Sequence, residues 1–473
     1  MNTKPNTFCP SSCKELTGRL LILHRTVPGC ESHDLSKWDT SLVTDMSHLF
    51  EEYPGTIPDI SKWNTANVTD MSYIFAHYKK ELPDVSMWNT KNVVSLEGAF
   101  FFCSETRRIP IKHWNVEKVR NFKKMCCFCY NLRELDVSYW YTKSATNMEM
   151  TFSFCTLLKK LNLARWNTNN VTDMSALFNH CKNLRDLVLP SFNTSKVEDF
   201  SLCFNGCSKL TSLNLKSWNT KSATRLDGMF SECINLEQVF LNRFATKRVE
   251  SFHRMFAQCY KLKELDIRHF DTTSAEDLSA MFECCSCLKK LDLTNFYTPN
   301  VKSLNKTFAY CMQLVDLRIP NFNTSLVRDF ESCFESCKSL ISLDLSHFNT
   351  TLCTNMERMF AFCDNLTYVD LSNAVIDSCL YLDSMFRDCY CLTTVDLSKF
   401  RFYGVTCCSY MFENCYSLTK VIGSKDINNS VVGEQKAWLD NTSALDHKSY
   451  GDLKVTHIDL WVIDPNGDGQ FIW

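Results

Sequence analysis

A phenylalanine that returns every 26 residues constrains this chain more than anything else in it. It stands at Phe152, Phe178, Phe204, Phe230, Phe256, Phe282, Phe308, Phe334, Phe360, Phe386 and Phe412, and a cysteine follows each by three residues, from Cys155 to Cys415. Cys129 and Cys103 carry the cysteine ladder backwards, and a 25-residue step then reaches Phe75 and Phe50, where Tyr78 and Tyr53 replace the cysteine. A fixed period of this length marks a repeat array, in which each repeat buries its apolar side only against its neighbours. Counted this way, about fifteen repeats of 25–26 residues fill residues 34–420. A chain of 473 residues would otherwise suggest several globular domains; the period makes it one long solenoid.

Two spacings alternate inside each repeat. Leu291 and Leu293, or Leu343 and Leu345, lie two apart, which is the strand pattern and puts Asp292 and Asp344 on the opposite face. An aromatic follows, as at Trp38, Trp63, Trp88, Trp114, Trp140, Trp166, Trp218, Phe270 and Phe348, and then commonly Asn-Thr, residue types that accept backbone hydrogen bonds at turns and helix starts. Val171, Met174, Phe178, Cys181 and Leu184 then show a helical spacing. The expected repeat is thus a short parallel strand, a turn and a short helix, an α/β solenoid. Parallel strands lie about 4.8 Å apart, so the sheet would run roughly 70 Å, with the wider helices fanning out and the strand side concave. Residues 1–33 are expected to cap the first repeat. Residues 421–473 are expected to be an irregular segment and a hairpin cap, with Lys454–Ile463 and Gln470–Trp473 as strands and Trp461 and Trp473 shielding the last repeat.

The repeat L-x-x-L-D-L-S-x-F/W-N-T-x-x-V-x-x-M-x-x-M-F-x-x-C-x-x-L resembles the BspA-like leucine-rich repeats, also described as the DUF285 or mycoplasma lipoprotein-type repeat. Particularly close matches run from Leu343 to Leu366 and from Trp166 to Leu184. The resemblance implies a right-handed leucine-rich-repeat solenoid. It also implies the function of that family's members, mostly bacterial or protist surface proteins implicated in adhesion to host proteins or other cells.

Composition narrows the function classes. A net charge of −2 offers no support for a nucleic-acid or anionic-membrane role, so no nucleic-acid partner is expected. The first thirty residues lack the apolar core of a signal peptide, the longest apolar run being Leu20–Leu23, and no stretch approaches a transmembrane segment. The expectation is a soluble intracellular protein with reduced thiols; the alternative is a cell-surface or secreted one. The 27 cysteines show no paired CxxC zinc pattern, and Cys9, Cys13 and Cys30 have no zinc spacing. The ladder cysteine is read as a small apolar residue filling a tight space between repeats. Cys353 and Cys379, which share a position normally held by valine, are the pair best placed for proximity.

No hydrolase, zincin or phosphate-loop motif occurs, so neither catalysis nor a cofactor is expected. His113, His269 and His347 share a column but are not on adjacent repeats. Asp464 to Gly469 reads as the start of a calcium loop whose closing glutamate would fall beyond Trp473, which favours a hairpin turn. The remaining candidate is a column of outward strand positions: Asp34, Asp59, Asp84, Asp136, Val188, Phe240, Asp266, Asp292, Arg318, Asp344, Asp370 and Asp396. Like charges at repeat spacing repel, so something must compensate them. One reading is neighbouring backbone N–H groups at turn edges; the other is a protein partner on a concave face, with Phe240 as its anchor. The function expected is a non-enzymatic protein-interaction scaffold, with a surface adhesin or a structural assembly element as alternatives.

Overall fold

The structure, a computed structural model, describes residues 8–26, 35–190, 192–401, 404–423, 461–463 and 469–472. The chain is a parallel β-solenoid with about 26 residues per rung, and it divides into two compact units. The first comprises Met1–Arg225 with Met229–Leu236 and Asn242–Phe244; the second comprises Leu226–Gly228, Glu237–Leu241 and Ala245–Trp473.

In the first unit, helix α1 (Cys13–Thr26) starts at Ser12, whose hydroxyl accepts the Glu15 N–H at 3.3 Å. Leu16 and Leu20 are buried, and the ring of Phe8 meets that of Trp38 edge-on at 4.6 Å. The strands of this unit are β1 (Arg108–Ile109), β2 (Glu134–Leu135), β3 (Lys160–Asn162), β4 (Asp186–Val188) and β5 (Ser212–Asn214). Register is parallel, with Arg108 opposite Glu134 and Asn162 opposite Val188. A second ladder of single parallel bridges runs alongside, from Asp45 through Asp70, Ser95, Asn121, Asn147, Asp173 and Asp199 to Arg225. Between the ladders lie stacked rings. Trp38, Trp63, Trp88 and Trp114 stack at 6.3, 6.4 and 6.3 Å, and Phe152, Phe178, Phe204 and Phe230 at 6.0, 5.3 and 5.8 Å. The indole N–H groups of Trp88 and Trp114 donate to the carbonyls of Ile60 and Val85 in the rung before.

The second unit carries β6 (Gln238–Phe240), β7 (Lys290–Asp292), β8 (Asp316–Arg318), β9 (Ser342–Asp344), β10 (Tyr368–Asp370), β11 (Thr394–Leu397) and β12 (Lys420–Gly423). The strands β13 (Trp461–Ile463) and β14 (Gly469–Ile472) pair with each other antiparallel, and β14 also pairs antiparallel with β12. Asp464, Asp468 and Trp473, like Asp34 and Cys30, lie outside the described residues. Phe256, Phe282, Phe308, Phe334, Phe360, Phe386 and Phe412 stack one on the next.

Two expectations need correction. Among the described residues α1 is the one α-helix: the segment read as a helix in every repeat is a chain of turns. Its N–H groups alternate between two partners. Those of Phe122, Lys124, Cys126 and Phe128 go to carbonyls of the next rung at 2.8–3.0 Å, while those of Met125, Cys127 and Cys129 go back three residues within the rung. Two residues four apart take left-handed φ, as Lys124 and Phe128 (55° and 63°) or Ala280 and Cys284 (53° and 61°) do, and this stops any helix from propagating. Each four-residue turn brings the chain back to the same face. Val171, Met174, Phe178, Cys181 and Leu184 are therefore all buried at a spacing that imitates helical periodicity.

The second correction concerns the count of about fifteen repeats: among the described residues the first unit has five short ladder strands, β1 to β5, and the second seven, β6 to β12. In two early rungs a proline, Pro58 or Pro83, occupies the place of the strand centre and offers no ladder N–H. These rungs are joined through the Asp45, Asp70 and Ser95 bridges instead. At Glu264 the strand shrinks to a single bridge with Gln238.

Two internal columns tie rung to rung. The cysteine at each ladder position is more than a small apolar filler, because its thiol donates to a carbonyl of the preceding rung. Cys103 donates to Phe75, Cys181 to Phe152, Cys311 to Phe282 and Cys389 to Phe360, at 3.0–3.2 Å. Burial pushes the Cys103 and Cys181 thiols up to about 12, so they remain protonated donors. The threonine two residues after the repeat's aromatic forms the other column. Thr298, Thr324 and Thr350 each donate to the next rung's carbonyl and accept that residue's N–H.

Candidate functional site: the outward face of the strands

In a strand such as β3 or β9 the central residue is buried and its two neighbours are exposed, so alternate side chains leave the core on one face. The expected column follows that face in both units. In the first unit Asp59, Asp84, Asp136 and Val188 are exposed, Val188 to 48%. In the second, Phe240 is 37% exposed; Asp266, Arg318 and Asp344 are exposed, and Asp292, Asp370 and Asp396 half-buried. Register places Asp292 opposite Arg318 and Asp344 opposite Asp370.

Most of these carboxylates already have a local partner. Asp59, Asp84, Asp344, Asp370 and Asp396 accept the N–H of a serine two residues on, at 2.9–3.0 Å. Asp292 takes the N–H and hydroxyl of Thr294, and Asp266 takes the Arg268 guanidinium as a two-point pair at 3.0 Å. The hydrogen bonds from Ser86 and Ser346 hold the Asp84 and Asp344 carboxyls below their ordinary range. Burial pushes Asp136 up, yet its bonds to Ser138 and to Lys112, 3.0 Å away, leave it lowered. The column is thus built of turn carboxylates whose remaining oxygens face outward.

Sequence reasoning missed two columns. The second bridge ladder is held by the same device: Asp70, Asp173 and Asp277 each accept the N–H two residues on at 2.7–2.8 Å. The other missed column stands just before the strands, where Arg107, Arg133, Lys159 and Arg185 follow one another at 26 residues, all exposed. That spacing is readable in the sequence. His269 and His347 spend Nε2 on the carbonyls of Leu241 and Ile319 at 3.0 Å. Among the described residues no cluster of three His, Cys, Asp or Glu is arranged to hold a metal ion.

In the second unit the lapse of the ladder at Glu264 opens a cavity of about 710 Å³, bordered by Lys263, Glu264, Leu265, Asp266, Arg268, Cys287, Lys289, Lys290, Asp292 and Gln313. It is a shallow, mixed-charge extension of the same outward face.

A family model described as a Mycoplasma protein of unknown function, DUF285, matches residues 23–132, 94–211, 186–296, 278–376 and 368–450. The chain belongs to the DUF285 family. Its rungs are those of a BspA-like leucine-rich repeat. A search of curated proteins gives no match. Among solved structures, the DUF285 chain is similar to a leucine-rich-repeat protein of Leptospira interrogans. Identity is 12% and the TM-score 0.24, over 80% of this chain and 88% of that one. It is also similar to a chain of the Drosophila Toll–Spatzle complex, at 14% identity and a TM-score of 0.21, over 60% of this chain and 41% of that one. It thus spans less than half of the Toll–Spatzle chain. Among the described residues no helix is long and apolar enough to cross a membrane.

Proposed function

We propose that this DUF285 protein is a non-enzymatic interaction scaffold that binds a protein partner through the outward face of its strands. One observation carries the reading: inside, each column repeats one residue type and spends its polar groups on the next rung, whereas the outward strand positions between Asp136 and Arg318 vary. Asp136, Asn162, Val188 and Asn214 follow one another in the first unit, and Phe240, Asp266, Asp292 and Arg318 in the second. Folding uses the repeated positions, so the unrepeated ones are free to specify a partner. Val188 and Phe240 supply half-exposed apolar contacts, the kind that dominates binding energy when covered.

Carboxylate–amine cross-linking of the protein in its native extract, mapped by mass spectrometry, tests this. Cross-links to a partner should concentrate on Asp136, Lys160, Asp266 and Lys290; concentration on the turn-side lysines refutes it. The thiol columns support a reducing compartment as the working location, since a cysteine in a disulfide has no S–H to donate. Labelling of denatured native protein without prior reduction should reach nearly all 27 cysteines. Labelling that needs reduction first would favour the surface adhesin.

A further inference from the structure

At several places in this fold a lysine finds its counter-charge on a neighbouring rung. Lys143 pairs with Glu117 at 2.6 Å, Lys123 with Glu149 at 2.7 Å, Lys263 with Glu237 at 2.6 Å and Lys338 with Asp364 at 3.1 Å. The cationic column before β2, β3 and β4 shows no such pairing. Arg133, Lys159 and Arg185 are exposed on three successive rungs, and none has a carboxylate within salt-bridge reach among the described residues. The nearby carboxylates are already engaged: Glu81 with Arg107 at 3.8 Å, Asp136 with Lys112 at 3.0 Å, and Asp186 with Lys160 at 3.4 Å. Glu134 stands opposite Arg108 in the β1–β2 register.

Within each of the strand pairs β1–β2 and β3–β4 the cationic positions share a backbone register, and β2 packs beside β3. The Arg133 N–H reaches the Arg107 carbonyl at 2.9 Å and the Arg185 N–H the Lys159 carbonyl at 3.1 Å. Rungs about 4.8 Å apart therefore stack three like charges over roughly 10 Å, with only water and salt to compensate them. We infer that Arg133, Lys159 and Arg185 bind an acidic, extended polypeptide segment of the partner, lying along the stack of rungs. This deepens the scaffold reading and rests on it. Guanidinium groups suit carboxylates through two-point hydrogen bonding. An extended peptide places side chains of one face about 6.8 Å apart, a repeat that long lysine and arginine side chains can follow. Val188, exposed three residues on from Arg185, suits an apolar residue of the peptide. A polyanion charged at every unit, such as a nucleic acid or sulfated glycan, would instead press against Glu134 and Asp186, which flank the cations.

Fluorescence anisotropy of the full chain with a labelled peptide of alternating Glu and Val tests this, in low salt and with rising salt. The triple variant Arg133→Glu/Lys159→Glu/Arg185→Glu should weaken binding at least tenfold more than Lys91→Glu/Lys118→Glu/Lys221→Glu, which makes the same change in net charge elsewhere on the first unit. The neutral triple Arg133→Gln/Lys159→Gln/Arg185→Gln should fall between them, with wild-type thermal melting certifying the fold. Equal binding by the two charge-reversal triples, or no binding by the wild type, overturns the inference. So does tighter, column-dependent binding of heparin or single-stranded DNA. If the peptide fails while cross-links stay on the strand face, this inference alone falls; cross-links confined to other faces remove the scaffold reading whatever the peptide does.

Discussion

Replacing Thr324 by valine keeps its shape and removes its hydroxyl. Thr324 is 1% exposed; its Oγ1 donates to the Asn349 carbonyl at 2.9 Å and accepts the Asn349 N–H at 2.7 Å, so one hydroxyl joins two rungs twice. Valine leaves both backbone groups without that partner. Each lost bond costs about 1 kcal/mol net, and more where the stranded group is sealed from water. The added apolar burial returns under about 1 kcal/mol, so the net loss is about 1–3 kcal/mol. Thr324→Ser keeps the hydroxyl and loses one methyl group, about 1 kcal/mol. Making the same changes at Thr298 and Thr350, which bond in the same two ways, should roughly triple each loss and separate the two series clearly. Urea unfolding followed by circular dichroism is the assay, with unchanged m-values as the check that midpoints report stability. The order expected is threonine, then serine, then valine. A triple valine variant as stable as the triple serine variant would refute the view that the hydroxyl column ties the rungs together.

Four further outcomes are expected. Glu335, buried beside Arg358, is pushed up by burial, but hydrogen bonds from Arg358, Ser332 and Tyr310 with the Arg358 charge hold it below its ordinary 4.5. A carboxyl lowered on folding stabilises fully above its unfolded pKa and loses that contribution as pH falls through the folded value. Arg358→Met should therefore destabilise by about 3 kcal/mol at pH 7, and the difference should shrink as pH falls below about 4.5; a pH-independent loss in urea titrations would count against this pairing. Gly206 has φ 68°, and a Cβ there would lie 2.4 Å from His180 Nδ1, so Gly206→Ala should lower thermal stability by about 2 kcal/mol or more. Gly18→Ala, in open space on α1, should be neutral or stabilising by up to about 1 kcal/mol. Cys353 and Cys379 occupy one position of successive rungs, buried, with their thiols donating to the carbonyls of Asn355 and Tyr381 at 3.4 Å and interacting with each other, and parallel-rung spacing suits the 4.4–6.8 Å Cα separation of a disulfide. Diamide should therefore link this pair before any ladder cysteine, as peptide mass mapping would show; prior linkage of Cys311 to Cys337 would contradict the assignment.

The repeat period, the strand positions and the outward column were legible because they depend on which residues are buried and how often. Leu291, Leu343 and Phe334 recur at the same place in each rung, and any rung built on them must stack in register. The conformation between buried positions was not legible in that way. Val171, Met174, Phe178 and Cys181 satisfy a helix and a chain of four-residue turns equally well, since both return to the core after three or four residues. The discriminating information lies in backbone signs. The left-handed positions hold Lys124, Phe128, Met150 and Phe154, side chains that advertise no such conformation, and glycine takes the role at few of them. Inter-rung hydrogen bonds override local preference there, and no local reading of propensity anticipates an override made by neighbours. Pro58 and Pro83 did signal the loss of strand, but the even Phe and Trp spacing around them concealed it.

The same logic separates the two uses of charge on the outward face. Asp59, Asp84 and Asp344 look alike in sequence to residues that wait for a ligand, yet each is already bonded to the backbone two residues on, so their presence follows from the turn they close. Arg133, Lys159 and Arg185 close no turn and, among the described residues, hold no carboxylate. A residue required by the fold is conserved in type from rung to rung by the geometry itself, whatever it binds; one that the fold does not require, and that adds repulsion to its neighbours, costs stability unless something outside the chain offsets it. On this face, then, unexplained repulsion identifies binding positions better than repetition does, and the cationic run, rather than the more regular aspartate column, is where a partner's contribution should be measured.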